Sequence, residues 1–123
     1  MKVSYFKKRW LSFGHAFKGI KILWLSTPNA RIHVFILLMV GFAGLIFQIR
    51  PVEWLVICLA AGMVLCAEAL NSALEVSLNH LHPQQHEAIG KAKDLAAGGV
   101  LLAAIFAAAA GLIIFIPYLR NLL

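Results

Sequence analysis

The chain has 123 residues, of which 62% are hydrophobic and 13% charged, and a formal net charge of +6. A compact soluble domain of this length does not need so much apolar surface, and the excess must face lipid. The basic residues are also grouped rather than spread, which argues for a membrane surface and against nucleic acid as the partner.

Along residues 4–25, Phe6, Trp10, Phe13, Phe17, Ile20 and Trp24 recur at intervals of four and three, while Lys7, Lys8, Lys18 and Lys21 fall largely on other faces. An aromatic stripe opposed by lysines predicts a helix lying in the bilayer interface. A soluble amphipathic helix packed on a partner is the alternative, and the adjacent apolar stretches argue against it. This basic, amphipathic start lacks a short apolar run with a cleavage site, so it is expected to stay on the mature protein. Ser26-Thr27-Pro28 breaks the helix, because proline lacks an amide donor and pushes the preceding residue out of helical geometry.

Three apolar stretches follow, at 32–49, 54–78 and 95–119. Each approaches or exceeds the roughly 20 residues that cross a hydrocarbon core of about 30 Å. A short turn from Gln48 to Glu53 joins the first two, with Trp54 as an interfacial anchor. Residues 79–93 form a polar loop or bent helix broken near Pro83. The expected fold is therefore all-α and integral to the membrane, with three transmembrane helices behind an interfacial helix, in one domain over residues 1–123. Lys2, Lys7, Lys8, Arg9, Lys18, Lys21, Arg31, Lys91 and Lys93, nine of the eleven Lys and Arg residues, lie before the first span or between the second and third. The positive-inside rule then places the N-terminus in the cytoplasm and the C-terminus outside. Cys58 and Cys66 are two turns apart on one helix, too far to bridge, and read as packing residues. His33, at the inner edge of the first span, reads as an interfacial packing residue rather than a proton relay.

The second span carries the unusual chemistry. Glu68, Asn71 and Glu75 are spaced i, i+3 and i+7, which at about 100° per residue puts them on one face, and Asn79 extends the row. Carboxylates inside a span cost a few kcal/mol each on insertion scales, so they face protein or a wet cavity and serve a function. A polar seam between helices is the plainer explanation, but a seam is better built from Ser or Asn than from two ionisable groups. Gly90-Lys91-Ala92-Lys93-Asp94 brings cations and another carboxylate to the same end of the chain. Carboxylates beside lysines and a glycine are the parts phosphoryl transfer needs: oxygen ligands for magnesium, a cation on the phosphates and a base for the attacking hydroxyl. Neither a Walker glycine loop nor a protein-kinase signature is present. His80, His82 and His86 with Glu87 suggest a metal site, but their spacing matches no usual zinc motif.

The segment Glu68-Ala-Leu-Asn71-Ser72-Ala73-Leu74-Glu75, followed by Ala92-Lys93-Asp94-Leu-Ala96-Ala97-Gly98, resembles the signature of the prokaryotic diacylglycerol kinase family, and the likeness extends over nearly the whole chain. The resemblance implies a homotrimer in the cytoplasmic membrane of a bacterium that uses ATP and Mg2+ to phosphorylate a membrane lipid alcohol, undecaprenol or diacylglycerol. It implies that Glu68 is the general base, that Glu75 holds nucleotide-bound magnesium, and that Asn71, Lys93 and Asp94 position the phosphates and the catalytic carboxylate. Glu68 and Asn71 would meet the lipid, and His15, His86 and Gly90 would lie near the nucleotide. Ala96-Ala97-Gly98 and Asn29-x-Arg31-Ile32-His33 look more like the undecaprenol branch. The chain departs from the family at Thr27, where a metal-binding glutamate is common, and at Asn79, where aspartate is usual. His15 stands where one branch has a tyrosine near the adenine. Those departures motivate a second reading, a catalytically weakened member acting as a membrane interaction protein. An ion pathway along Glu68 and Glu75 is a third. The retention of Asn71, Lys93 and Asp94 favours the kinase over both.

Overall fold

The computed structural model describes residues 2–123, and these form four helices with no strand among them. The first, α1 (Tyr5–Ser26), is exposed along almost its whole length, with Phe6, Trp10 and Phe17 from the aromatic stripe at 82%, 79% and 68% exposure. A stripe that apolar and that uncovered by protein fits a helix laid on a lipid interface. Thr27 alone separates it from α2 (Pro28–Phe47), and Pro28 opens that helix where its missing N–H has no partner to lose.

α2, α3 (Pro51–Leu81) and α4 (Glu87–Arg120) are each long and apolar enough to cross a membrane. α3 and α4 run past both ends of the apolar stretches at 54–78 and 95–119, α2 starts four residues before the stretch at 32–49 and ends two short of it, and the polar connection expected over 79–93 shrinks to residues 82–86. Hydropathy marks lipid contact, whereas helix ends follow backbone capping. The His86 ring accepts from the Ala88 N–H at 3.1 Å, and Glu87 pairs with Lys91 one turn on at 3.2 Å. Those interactions start α4 two turns before its apolar run begins. At 31 residues α3 rises about 46 Å, well beyond a hydrocarbon core of about 30 Å, so one end of it projects into the polar zone.

The turn between α2 and α3 sets how the helices align. Gln48 closes α2 in the left-handed conformation at φ 51°, and the Ile49 amide reaches back to the Gly44 carbonyl at 3.1 Å. That is a Schellman-type ending carried by glutamine rather than glycine. Gly44 is buried beneath Trp54: a Cβ there would come within 2.7 Å of the indole ring. Trp54 is thus half-buried against α2. Ile49, Ile57 and Ile114 form the core of this end, flanked by Phe47, Phe115 and Tyr118. Above them Tyr118 donates to Glu53 at 2.6 Å, and Arg50 pairs with the same carboxylate at 3.2 Å. Cys58 and Cys66 are both exposed on the protomer, so neither packs within it.

α3 and α4 run antiparallel and make the most extensive contact in the molecule. Small residues on α4, among them Ala104, Ala107 and Gly111, line a groove that α4 forms with α2 and α3. The α1–α2 junction and the 82–86 loop lie at one end of the bundle. The 48–50 turn and the C-terminus lie at the other.

Candidate active site

Burial along the polar face of α3 is graded. Glu68 is 1% exposed, the most buried large side chain in the protomer, Asn71 is half-buried, and Glu75 is exposed. The gradient follows from helix length: Glu75 lies seven residues, roughly 10 Å, closer to the projecting end of α3. A fully buried carboxylate loses its hydration, at a cost of several kcal/mol unless a partner compensates.

The partner comes from α2. His33 Nε2 lies 3.4 Å from Glu68 Oε1. His33, expected only to pack at the interface, is the one polar side chain of α2 that faces the buried carboxylate. One signal for it lay in the sequence, since His33 is the single polar side chain in an otherwise apolar stretch from Ile32 to Phe47. Nearer the loop, Thr27 Oγ1 and Ser72 Oγ are 3.2 Å apart, which places the α1–α2 junction directly over the same stretch of α3. Thr27, His33, Glu68, Asn71 and Ser72 therefore form one polar niche between α2 and α3.

Two acceptors in that niche have no hydrogen-bond partner, Glu68 Oε2 and Asn71 Oδ1. Buried oxygens without a donor are rare and costly, at about 1–3 kcal/mol each. These two lie one turn apart on the same face of α3.

At the loop end, Lys93 Nζ donates to Asn79 Oδ1 at 2.5 Å. His86, Gly90 and Lys93 share the wall of an open cleft of about 460 Å³ formed by the 82–86 loop and the first turns of α4. These three were expected near a nucleotide, and the structure brings them together. His82 and His86 stack edge to face at 5.8 Å, with His86 employed as the cap of α4. Asp94 is exposed on α4, and His15 is exposed on α1 beside Trp10 and Lys18. Among the described residues no hydrogen bond or ion pair joins Asp94, His15 or Glu75 to the other site residues. Nor do three His, Cys, Asp or Glu side chains gather into a metal site among them. Magnesium needs no such cage, because it keeps several waters and takes one or two carboxylates together with phosphate oxygens. The exposed carboxylate of Glu75 fits that donor set.

The model of the family "Prokaryotic diacylglycerol kinase" matches residues 14–115. The chain belongs to the prokaryotic diacylglycerol kinase family. It is 32% identical over 108 residues to the undecaprenol kinase of Bacillus subtilis (strain 168), covering 88% of each chain. It is 34% identical over 114 residues to a diacylglycerol kinase of Synechocystis sp., covering 92% of this chain and 65% of that one. Against the diacylglycerol kinase of Escherichia coli (strain K12) it is 26% identical over 94 residues, which is 76% of this chain and 77% of that one. As a member of this family the protein is a phosphotransferase, a lipid kinase built into a membrane.

Proposed function

We propose that the protein transfers the γ-phosphate of ATP to the primary hydroxyl of a membrane lipid, undecaprenol or diacylglycerol, at the niche between α2 and α3. The observation that carries this reading is the pair of orphaned acceptors, Glu68 Oε2 and Asn71 Oδ1. A lipid hydroxyl is a donor of the right kind. It binds by donating to Glu68, and the same hydrogen bond is the path its proton takes. As the hydroxyl oxygen bonds to the γ-phosphorus, its proton passes to Glu68 and the bond from phosphorus to the bridging oxygen of ADP breaks. Asn71 keeps the hydroxyl in line.

Lys93 and the cleft around His86 and Gly90 hold the nucleotide from the solvent side. Glu75, exposed between niche and cleft along α3, is the carboxylate for magnesium. When bound, that ion neutralises charge on the β- and γ-phosphate oxygens. Asp94 and His15 border the same end of the bundle, and His15 offers an imidazole for the adenine. The roles are separated by depth: the buried carboxylate meets the lipid, and the exposed one meets the nucleotide.

This end of the bundle faces the cytoplasm in the proposed orientation, which is supported by the nine Lys and Arg residues gathered there. Assembly into an oligomer, a homotrimer by the family resemblance, is supported by how little the protomer covers of itself. Ala30, Ile49, Ile57, Val64, Val100 and Ile114 are its only buried hydrophobic residues among those described. Of the two acceptors, undecaprenol is favoured by the even, near full-length match to the Bacillus relative.

The test supplies the purified protein in detergent with labelled ATP, magnesium and each lipid in parallel. Transfer to at least one lipid is the expected result. Transfer to neither, by a folded protein, refutes the kinase reading and favours the interaction protein, which is supported by a threonine at position 27 whose hydroxyl lies 3.2 Å from that of Ser72.

A further inference from the structure

The two oxygens of Glu68 are not equivalent. Oε1 faces the His33 imidazole at 3.4 Å, while Oε2 is buried with no partner. His33 is itself held on α2, half-buried, with 23% of its side chain exposed against 1% for Glu68. We infer that His33 is a positioning residue for the phosphoryl acceptor site: its Nε2–H occupies Oε1 and so turns Oε2, alone, toward the lipid hydroxyl. The inference rests on the kinase reading above and adds to it the atom that takes the proton and the residue that selects it.

A free carboxylate rotates about its terminal torsion through a broad, two-fold well, so without a partner either oxygen can turn away from the substrate. A donor fixed on a neighbouring helix removes that freedom before substrate binds, and such preorganisation separates a productive site from a loose one. The surroundings leave this task to His33. The α3–α4 register, set by Lys93 on Asn79 at one end and Ile114 beside Ile57 at the other, brings Ala103 and Ala104 of α4 to the level of Glu68. Neither has a polar side chain. On α3 the other polar groups are Asn71, whose oxygen is also unpartnered, and Ser72, which faces Thr27. Among the described residues Glu68 makes no other ion pair or side-chain hydrogen bond.

The separation of 3.4 Å is longer than the 2.7–2.9 Å of a tight charge-assisted bond. Catalytic contacts are often long before substrate arrives and tighten in the complex. The role assigned to His33 is geometric, so a neutral donor of similar reach should replace it.

The experiment compares wild type, His33→Ala and His33→Gln, all checked for an intact fold and assembly, for kcat, lipid KM and direct Mg-ATP binding. His33→Ala is expected to lower kcat at least about tenfold, as misorientation of a reacting group does. Lipid KM and nucleotide affinity should stay within about twofold, because neither substrate is held by the imidazole. His33→Gln, whose amide N–H reaches toward the same oxygen, is expected to recover most of the loss. Imidazole 15N spectra supply a readout independent of turnover: Glu68→Gln should move the His33 resonance and leave the other four histidines in place. The inference is overturned if His33→Ala keeps wild-type kcat, if the loss is matched by weaker nucleotide binding, if glutamine performs no better than alanine, or if Glu68→Gln leaves the His33 resonance unmoved. Absence of transfer by the wild-type protein itself sinks the kinase reading, an outcome distinct from all four.

Discussion

Lys93 Nζ rests 2.5 Å from Asn79 Oδ1, so the cation nearest the loop cleft is tethered across the α3–α4 pair by a neutral group. A neutral tether fixes the position of the ammonium without cancelling its charge, which stays available to phosphate. Lys93→Met removes the charge and is expected to weaken Mg-ATP binding by about tenfold or more, the range for a hydrogen bond to a charged group. Asn79→Ala removes only the tether and should weaken it by less than about threefold. Isothermal titration with a non-hydrolysable ATP analogue separates the two.

The depth gradient along α3 makes the two glutamates separable. Glu68→Gln keeps shape and volume but removes the group that accepts the proton. Turnover should fall to background while nucleotide binding is retained. Glu75→Gln acts at the exposed end and should weaken Mg-ATP binding, shifting the magnesium dependence of activity upward. Equal loss of nucleotide binding in both variants would show that the face works as one unit.

Thr27 sits at the α1–α2 junction with its hydroxyl against Ser72. A hydroxyl is a poor magnesium ligand beside a carboxylate. Thr27→Glu adds a hard oxygen donor next to the niche and is expected to lower the magnesium concentration needed for half-maximal nucleotide binding. Because the new carboxylate also lies close to buried Glu68, some loss of thermal stability should accompany the gain. Unchanged magnesium dependence would show that metal is held elsewhere.

Gly44 underlies Trp54, and the turn it supports aligns α2 with α3. Gly44→Ala places a methyl 2.7 Å from the indole and forces the ring or the backbone to move. Overpacking of this kind costs about 1–3 kcal/mol. A lower unfolding temperature is expected in the same detergent, together with reduced activity, because a shift at the turn carries His33 away from Glu68. A variant that loses stability and keeps full activity would break this link between turn and site.

The apolar runs, the aromatic stripe of α1, the break at Thr27-Pro28 and the i, i+3, i+7 row on α3 are local patterns. Each is set by side-chain hydropathy and helical periodicity within a few turns, so they could be read without neighbours. The same motifs were sufficient to point to the lipid kinase family. Helix ends were legible only in part, since α4 begins at a capping histidine and an ion pair that hydropathy does not register. The pairings that complete the site belong to tertiary structure. Thr27 and Ser72 are 45 positions apart, and His33 meets Glu68 from the other helix of the same α2–α3 hairpin. No periodicity links such residues. Their contact depends on the antiparallel register set by the left-handed Gln48 and by Trp54 on Gly44, and a register is a property of two helices together. The sequence alone determined that Glu68 is a costly carboxylate with work to do. Only the packing of α2 on α3 decided which of its oxygens is held and which is left for a substrate.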